Sequence, residues 1–275
     1  MKITVLSGKG GTGKTTIATN LALSLENVQF FDTDVEEPNS YLFLKPDFAD
    51  NEQTVWRKVP IIEQSKCNSC RKCVDFCQYN ALAMLGDEVL VYPEVCHSCG
   101  GCKHICPQDA ITEEKRSVGK INWDLDIDGL EYWQGELTIG EASSIPIISK
   151  IKKEIKDEKL VIIDAPPGTT CPTIEATIDS DYAILVTEPT PFGLHDLKMA
   201  VELVEDLDKP YGVIINRSQQ EADGIIQDYC KKNGIPILLK VPFKRQIAKL
   251  YSEGIPFVEE LPKWKDKFRE VIDNL

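Results

Sequence analysis

The segment Gly8-Lys9-Gly10-Gly11-Thr12-Gly13-Lys14-Thr15 constrains this chain more than any other. It fits the phosphate-loop pattern G-x-x-x-x-G-K-[ST], follows a short apolar run (Ile3–Leu6) and opens a stretch of helical periodicity (Lys14–Leu25). Such a loop belongs where a strand hands over to a helix. Its glycines let backbone N–H groups turn inward around a phosphate, and the helix amino end adds a favourable dipole. Lys14 is then expected on the β- and γ-phosphates and the Thr15 hydroxyl on Mg²⁺. The expected nucleotide contacts are Gly8, Lys9, Gly10, Gly11, Thr12, Gly13, Lys14, Thr15 and Thr16.

Further buried-type runs occur at Val28–Phe31, Leu160–Ile163, Tyr182–Val186, Tyr211–Ile215 and Ile237–Val241, mostly separated by helical stretches. This alternation predicts an α/β fold, a parallel sheet with helices on both faces. With 275 residues, 42% of them hydrophobic, the chain can bury one substantial core and still carry a small module. No apolar run approaches the roughly 18 residues needed to span a bilayer, so membrane association is not expected and a cytoplasmic location is. A net charge of −13 repels phosphate backbones and argues against direct binding of nucleic acid.

Eight of the ten cysteines crowd between Pro60 and Ser117, where βα alternation cannot be traced. They form C-x2-C-x2-C-x3-C twice, offset by 29 residues: Cys67, Cys70, Cys73 and Cys77 align with Cys96, Cys99, Cys102 and Cys106. In a reducing compartment such cysteines read as metal ligands rather than disulfides. The spacing is that of bacterial-type ferredoxins with two [4Fe–4S] clusters, in which three cysteines of one run hold a cluster and the fourth crosses to the other. Cys67, Cys70, Cys73 and Cys106 are expected on cluster 1, and Cys96, Cys99, Cys102 and Cys77 on cluster 2. Zinc sites use two separated C-x2-C pairs around one ion, which leaves a doubled run unexplained. One position departs from the ferredoxin pattern: Pro107 follows Cys106, but Gln78 follows Cys77. The reading is a small α+β ferredoxin-like domain (60–118) inserted into an ATPase domain (1–59 and 119–275), with Phe76, Ala81, Ile105 and Ala110 packing around the clusters.

Lys9, inside the phosphate loop, makes the chain resemble the deviant Walker-A ATPases. These include the nitrogenase iron protein, the division-site positioning ATPases and the Mrp-type iron–sulfur carriers. The resemblance implies a nucleotide-sandwich homodimer in which Lys9 reaches the partner's phosphates. Phe31-Asp32-Thr33-Asp34 looks like the family's first switch, which implies that Asp34 positions the attacking water as the base and Asp32 helps hold Mg²⁺. Asp164, in Val161–Gly168, sits where ligands of open α/β sheets bind and is expected to hold Mg²⁺ through water, with Gly168 giving the second switch its freedom. Asn216 and Arg217 look like the adenine contact.

Cys171 lies seven residues after Asp164, as a cluster ligand of the nitrogenase iron protein does, but the stretch Tyr132–Glu136 lacks that protein's second bridging cysteine. A redox thiol and a buried structural cysteine are the alternatives. Cys230 reads as core, His97 and His104 as surface or tuning residues, and His195 as a helix cap. The last apolar residues (Trp264, Phe268, Val271, Ile272, Leu275) read as a docked helix. The function expected is ATP binding and hydrolysis that gates electron transfer through two clusters to a redox partner protein. The alternatives are a cluster carrier serving apo-protein acceptors, which lacks here the C-terminal C-x-x-C of Mrp-type carriers, and a redox-sensing positioning ATPase.

Overall fold

The computed structural model describes residues 1–49 and 51–275 and resolves them into two compact units. The first comprises Met1–Glu52, Ile121–Glu136 and Ile148–Leu275; the second comprises Gln53–Lys120 and Leu137–Ile147. In chain order the elements begin with β1 (Lys2–Leu6), α1 (Lys14–Ala22), β2 (Val28–Asp32), α2 (Tyr41–Leu44), β3 (Glu52–Ile62), α3 (Lys72–Phe76), β4 (Leu82–Leu85) and β5 (Glu88–Val91). There follow α4 (Gly101–Ile105), β6 (Ile111–Ile127), β7 (Leu130–Leu137), α5 (Ile145–Ile151), β8 (Leu160–Asp164), α6 (Cys171–Thr177), β9 (Tyr182–Thr187) and α7 (Pro191–Asp206). The chain ends with β10 (Tyr211–Ser218), α8 (Gly224–Asn233), β11 (Ile237–Pro242), α9 (Arg245–Ser252), α10 (Phe257–Glu260) and α11 (Lys263–Asp273).

In the first unit the strands run in the order β11-β10-β9-β1-β8-β2-β7, parallel throughout. Runs such as Ile3–Leu6, Val161–Ile163 and Ala183–Val186 are buried along their whole length, as strands covered on both faces must be. The register sets the chemistry. Asp164 pairs with Val5 of β1 on one side and Asp32 of β2 on the other, so two acids stand side by side at the carboxyl ends of adjacent strands. Helix α1 buries Ile17, Ala18 and Leu21 in the same cluster as Trp264, Phe268 and Val271 of α11, so the terminal helix is docked.

Sequence periodicity did not disclose β3, β6 or β7. Charged residues interrupt the apolar alternation of β6 at Glu113–Arg116. The signal that was present is Asp128-Gly129, both at positive φ (52° and 86°), a two-residue turn suited to the β6–β7 hairpin.

The second unit carries the cysteine repeat, and the repeat extends to the backbone. Ser69 and Ser98 (φ 55° each), Arg71 and Gly100 (63°, 71°), and Asn80 and Asp109 (52°, 47°) all take left-handed conformations 29 residues apart. Each five-residue helix, α3 or α4, starts after one of these turns. Its core is small. Cys73, Leu82, Val89 and Ile111 form one cluster, and Val59, Ala81 and Cys96 another. Ala81 and Ala110 are buried as expected; Phe76, although partly exposed, lines the cavity of Cys77, Cys96, Cys99 and Cys102, whereas Ile105 is exposed and lines neither cysteine cavity.

Candidate functional site

Two glycines of the phosphate loop, Gly11 (φ 83°) and Gly13 (φ 87°), occupy left-handed conformations costly to any side chain. At Gly13 a Cβ would also collide with the Asn216 amide. Lys14 opens α1, is buried, and donates to Asp164 Oδ1 at 2.7 Å. Burial opposes its charge, but Asp164, Asp34 and Asp32 outweigh that and hold its pKa above the ordinary lysine value. The second oxygen of Asp164, fully buried, has no hydrogen-bond partner, and neither has the Thr12 hydroxyl. A desolvated carboxylate oxygen without a partner is costly, and a hydrated cation there would satisfy it.

Asp32 accepts from the backbone N–H of Asp34 and of Ser40, each at 3.1 Å, and from the Ser40 hydroxyl. Ser40 meets the Tyr132 hydroxyl at 2.8 Å, which donates to Gln134 Oε1 at 2.7 Å. Burial, with Asp164 adding to it, pushes the Asp32 carboxyl up to about 7, and burial pushes Asp34 up to about 6. Three acids around one lysine leave surplus negative charge, which suits Mg²⁺.

A cavity of about 410 Å³ opens over this group and is lined by Lys9, Gly10, Gly11, Gly13, Lys14, Thr15, Thr16, Asp34, Asn216 and Arg217. Gly8, Thr12, Asp32 and Asp164 are not part of its wall. Thr12 offers its carbonyl to the Asn216 amide at 2.8 Å, so Asn216 braces the loop as well as lining the cavity. At the far end Phe43, Ile247 and Tyr251 supply an apolar corner fit for a flat base. Lys9 lies between Glu188 and Asp196, 3.3 Å from each, and Glu188 also holds Arg217 at 3.0 Å. The sequence does not mark Asp196, whereas Glu188 directly follows the carboxyl end of β9, in the stretch Thr187–Thr190 that shares the family resemblance.

Two further cavities occupy the second unit. One is lined by Cys67, Cys70, Cys73 and Cys106, and the other, of about 390 Å³, by Cys77, Cys96, Cys99 and Cys102. Each therefore gathers three cysteines of one run and the fourth of the other. Backbone N–H groups of Ala81, Ser98 and Ala110 donate to the sulfurs of Cys77, Cys96 and Cys106 at 3.3–3.4 Å, which favours thiolates. Burial acts the other way on Cys102, pushing its thiol up to about 11, and on Cys73. Among the described residues no three Cys, His, Asp or Glu side chains converge on a single ion, and the first of these cavities is small, about 20 Å³. The donor set of four thiols in each cavity, with sulfur-directed N–H groups, fits an iron–sulfur cluster.

The two cavities differ in one unforeseen respect. Arg57, buried on β3, donates to the carbonyls of Cys96, Pro93 and Glu94 and pairs with the buried Glu141; Arg116 joins Glu141 at 2.7 Å. Beside the first run stands a neutral side chain, Gln64, which donates to the Val89 carbonyl of β5 at 2.8 Å. His97 stacks on Tyr79 with ring centroids 3.6 Å apart, and Arg57 and burial both lower its pKa, burial more. Cys171 is exposed at the start of α6, not a buried structural residue, and Cys230 is buried. His195 lies within α7, whose cap is Thr190, accepting from the Gly193 N–H at 2.9 Å.

Residues 3–257 match the CobQ/CobB/MinD/ParA nucleotide binding domain family. An uncharacterized protein of Methanocaldococcus jannaschii is 33% identical over all of this chain and 96% of its own length. An iron-sulfur cluster carrier protein of Pyrococcus horikoshii is 26% identical over the whole chain and 85% of its length. Among solved structures, the cell division ATPase MinD of Pyrococcus furiosus superposes with a TM-score of 0.60 at 20% identity, covering 99% of this chain and 98% of its own, a likeness of fold. No helix among the described residues is long and apolar enough to cross a membrane.

Proposed function

Since this chain belongs to the CobQ/CobB/MinD/ParA family of nucleotide-binding proteins, we propose that it is an ATPase whose nucleotide cycle gates electron transfer through two resident [4Fe–4S] clusters. The observation that carries the reading is the pairing, in one polypeptide, of a phosphate loop set against three buried acids with two cavities each lined by four cysteines. ATP is the substrate. Lys14 and the loop N–H groups bind its phosphates, Asp32, Asp164 and Thr15 would hold Mg²⁺, which would neutralise phosphate charge, and Asp34 takes a proton from the attacking water. The clusters would be held by Cys67, Cys70, Cys73 and Cys106, and by Cys96, Cys99, Cys102 and Cys77, and they supply one-electron chemistry. Residues 60–118 then form the core of an inserted ferredoxin-type domain.

Lys9 supports a nucleotide-dependent homodimer. Here it rests on Glu188 and Asp196 of its own chain, and reaching a partner's phosphates requires that it leave them. Strand β7 supports a route for coupling. It carries Tyr132 and Gln134 of the Asp32 network and continues into the segment that holds Glu141, whose partner Arg57 grips the Cys96 carbonyl. The protein would work in the cytoplasm with a redox partner protein.

The test is anaerobic reconstitution followed by potentiometric titration of the clusters by electron paramagnetic resonance, with and without MgATP. Coupling of about 3 kcal/mol moves a one-electron potential by roughly 130 mV. A shift of that order is expected; indifference of the potentials to nucleotide and of hydrolysis to cluster state would overturn the reading. A second reading, delivery of clusters to apo-proteins, is favoured by the relative named an iron-sulfur cluster carrier. It requires that a cluster leave the chain for an apo-acceptor, and retention of both clusters during incubation with one would exclude it.

A further inference from the structure

A cavity of about 600 Å³ in the nucleotide-binding unit lies outside the machinery described above. It opens at the carboxyl ends of β10 and β11, beside Ser218 and Pro242, and is walled by the first turns of α8 and α11. Open parallel sheets bind ligands at that end of their strands. Four lysines line it: Lys240, Lys244, Lys263 and Lys267.

The cavity's acid, Asp223, is buried and already engaged. It accepts from the Ser218 hydroxyl at 2.7 Å and the Gln219 N–H at 3.0 Å, and takes Lys240 at 3.4 Å. Lys267 lies over the ring of the buried Trp264, 4.5 Å from its centroid. Among the described residues no ion pair compensates Lys244, Lys263 or Lys267.

The four lysines are exposed to solvent. Helix α11 begins with Lys263, Lys265 and Lys267 and has no side-chain cap, although the amino end of a helix favours anions and repels cations. Lys244 and Arg245 stand at the amino end of α9 in the same way. The one acid in the first turn of α11, Asp266, pairs with Arg269 at 3.5 Å rather than with a lysine of the cavity. Three uncompensated positive charges facing a polar cavity make sense if an anion completes them.

We propose that this cavity binds a small molecule carrying two or more phosphate groups. The lysines approach from two walls, Lys240 and Lys244 from β11 and its exit, Lys263 and Lys267 from α11, so a ligand spanning the gap needs charge at both ends. Each phosphate brings a charge of about −1.5 to −2 at neutral pH, so two match three free lysines with little remainder. Gln220, Gln227 and Ser218 add neutral polar groups for phosphate or hydroxyl oxygens. The nucleotide cavity lies on the other side of a shared wall, because Pro242 and Lys244 line both.

The experiment is calorimetric titration of the full chain with inorganic pyrophosphate after the nucleotide pocket has been filled with ADP. One further saturable site is expected, weakened at least tenfold in the double variant Lys263→Ser, Lys267→Ser, with ADP affinity unchanged. Thermal melting supplies an independent readout. Lys263→Glu should raise Tm in the absence of anion, by relieving repulsion at the helix end, and abolish the stabilisation by pyrophosphate. No heat beyond dilution, undiminished binding in the double variant, or binding of a duplex oligonucleotide through the same lysines without any for pyrophosphate would each overturn the proposal.

Discussion

The two units are stabilised by opposite means. The nucleotide-binding unit has a continuous core of 22 buried residues, from Ile3 through Tyr132 to Val271, and its site is braced by hydrogen bonds already in place. Among the described residues the cysteine unit shows small clusters of four and three buried residues, and two of those seven are themselves expected ligands, Cys73 and Cys96. Charge divides the same way. Gln53–Lys120 with Leu137–Ile147 holds nine Lys and Arg against nine Asp and Glu, and the remaining 22 against 35 account for the whole net charge of −13. One unit folds around side chains and repels polyanions; the other folds around thiols and carries no net field.

The largest effect expected follows from that contrast. Bound metal in a small domain contributes on the order of 10 kcal/mol to folding. Chelation of iron under reducing conditions should expose the amides of the cysteine unit to hydrogen exchange, while β1, β8 and β9 stay protected and ADP still binds. Protection persisting in β4 and β5 of the stripped protein would break the comparison. Next in size is Lys14→Ala. Losing the phosphate-binding charge should slow ATP hydrolysis by roughly 10³–10⁵-fold, about 4–7 kcal/mol, with iron content per chain unchanged. A matching loss of iron would mean that the units do not fold independently.

Arg57→Leu comes third. It removes one of the two cations on Glu141, whose side chain is 2% exposed; Arg116 stays at 2.7 Å, so the cost falls below the about 3–5 kcal/mol of a wholly unpaired buried charge. Because Arg57 grips the carbonyl of Cys96 and the neutral Gln64 stands beside the first run, cluster 2 should be lost or shifted in potential while cluster 1 is not. Equal effects on both signals in electron paramagnetic resonance would show that the repeat is functionally symmetric.

What the sequence disclosed was whatever spacing alone determines. The phosphate loop is eight consecutive residues, and each cysteine run is eleven, so local geometry ties their members together before any tertiary contact forms. The crossing of Cys77 and Cys106 between cavities was legible for the same reason, as part of a repeat. Contacts between distant segments were not legible. Arg57 and Glu141 are 84 residues apart, and nothing in either neighbourhood marks it. Lys9 was read for what it reaches in a partner, and the acids that hold it in its own chain, Glu188 and Asp196, arrive from β9 and α7. Ile105 is apolar and reads as core, but a five-residue helix has one inward face and Cys102 occupies it.

The smallest effect expected is one of pH, and it separates stability from activity within the nucleotide-binding unit. Asp34 and Asp32 have pKa values raised by burial, to about 6 and about 7. An acid whose folded pKa exceeds its unfolded one takes up a proton on folding, so its contribution to stability grows as pH falls through the folded pKa and levels off near the ordinary carboxylate value. The nucleotide-free protein should therefore melt at a higher temperature at pH 5 than at pH 7.5, provided iron is retained. Hydrolysis should move the other way, because Asp34 accepts a proton only as the carboxylate, and the rate should fall as pH drops through about 6. Asp34→Asn should flatten both profiles: the melting temperature loses part of its rise on acidification, and the residual hydrolysis loses its acid limb. If the wild-type protein instead loses stability steadily from pH 7.5 to 5, the three acids are not held in the strained, surplus-charge state that makes this site a receptor for Mg²⁺, and the contrast between a prebuilt site and a cofactor-built one loses its first half.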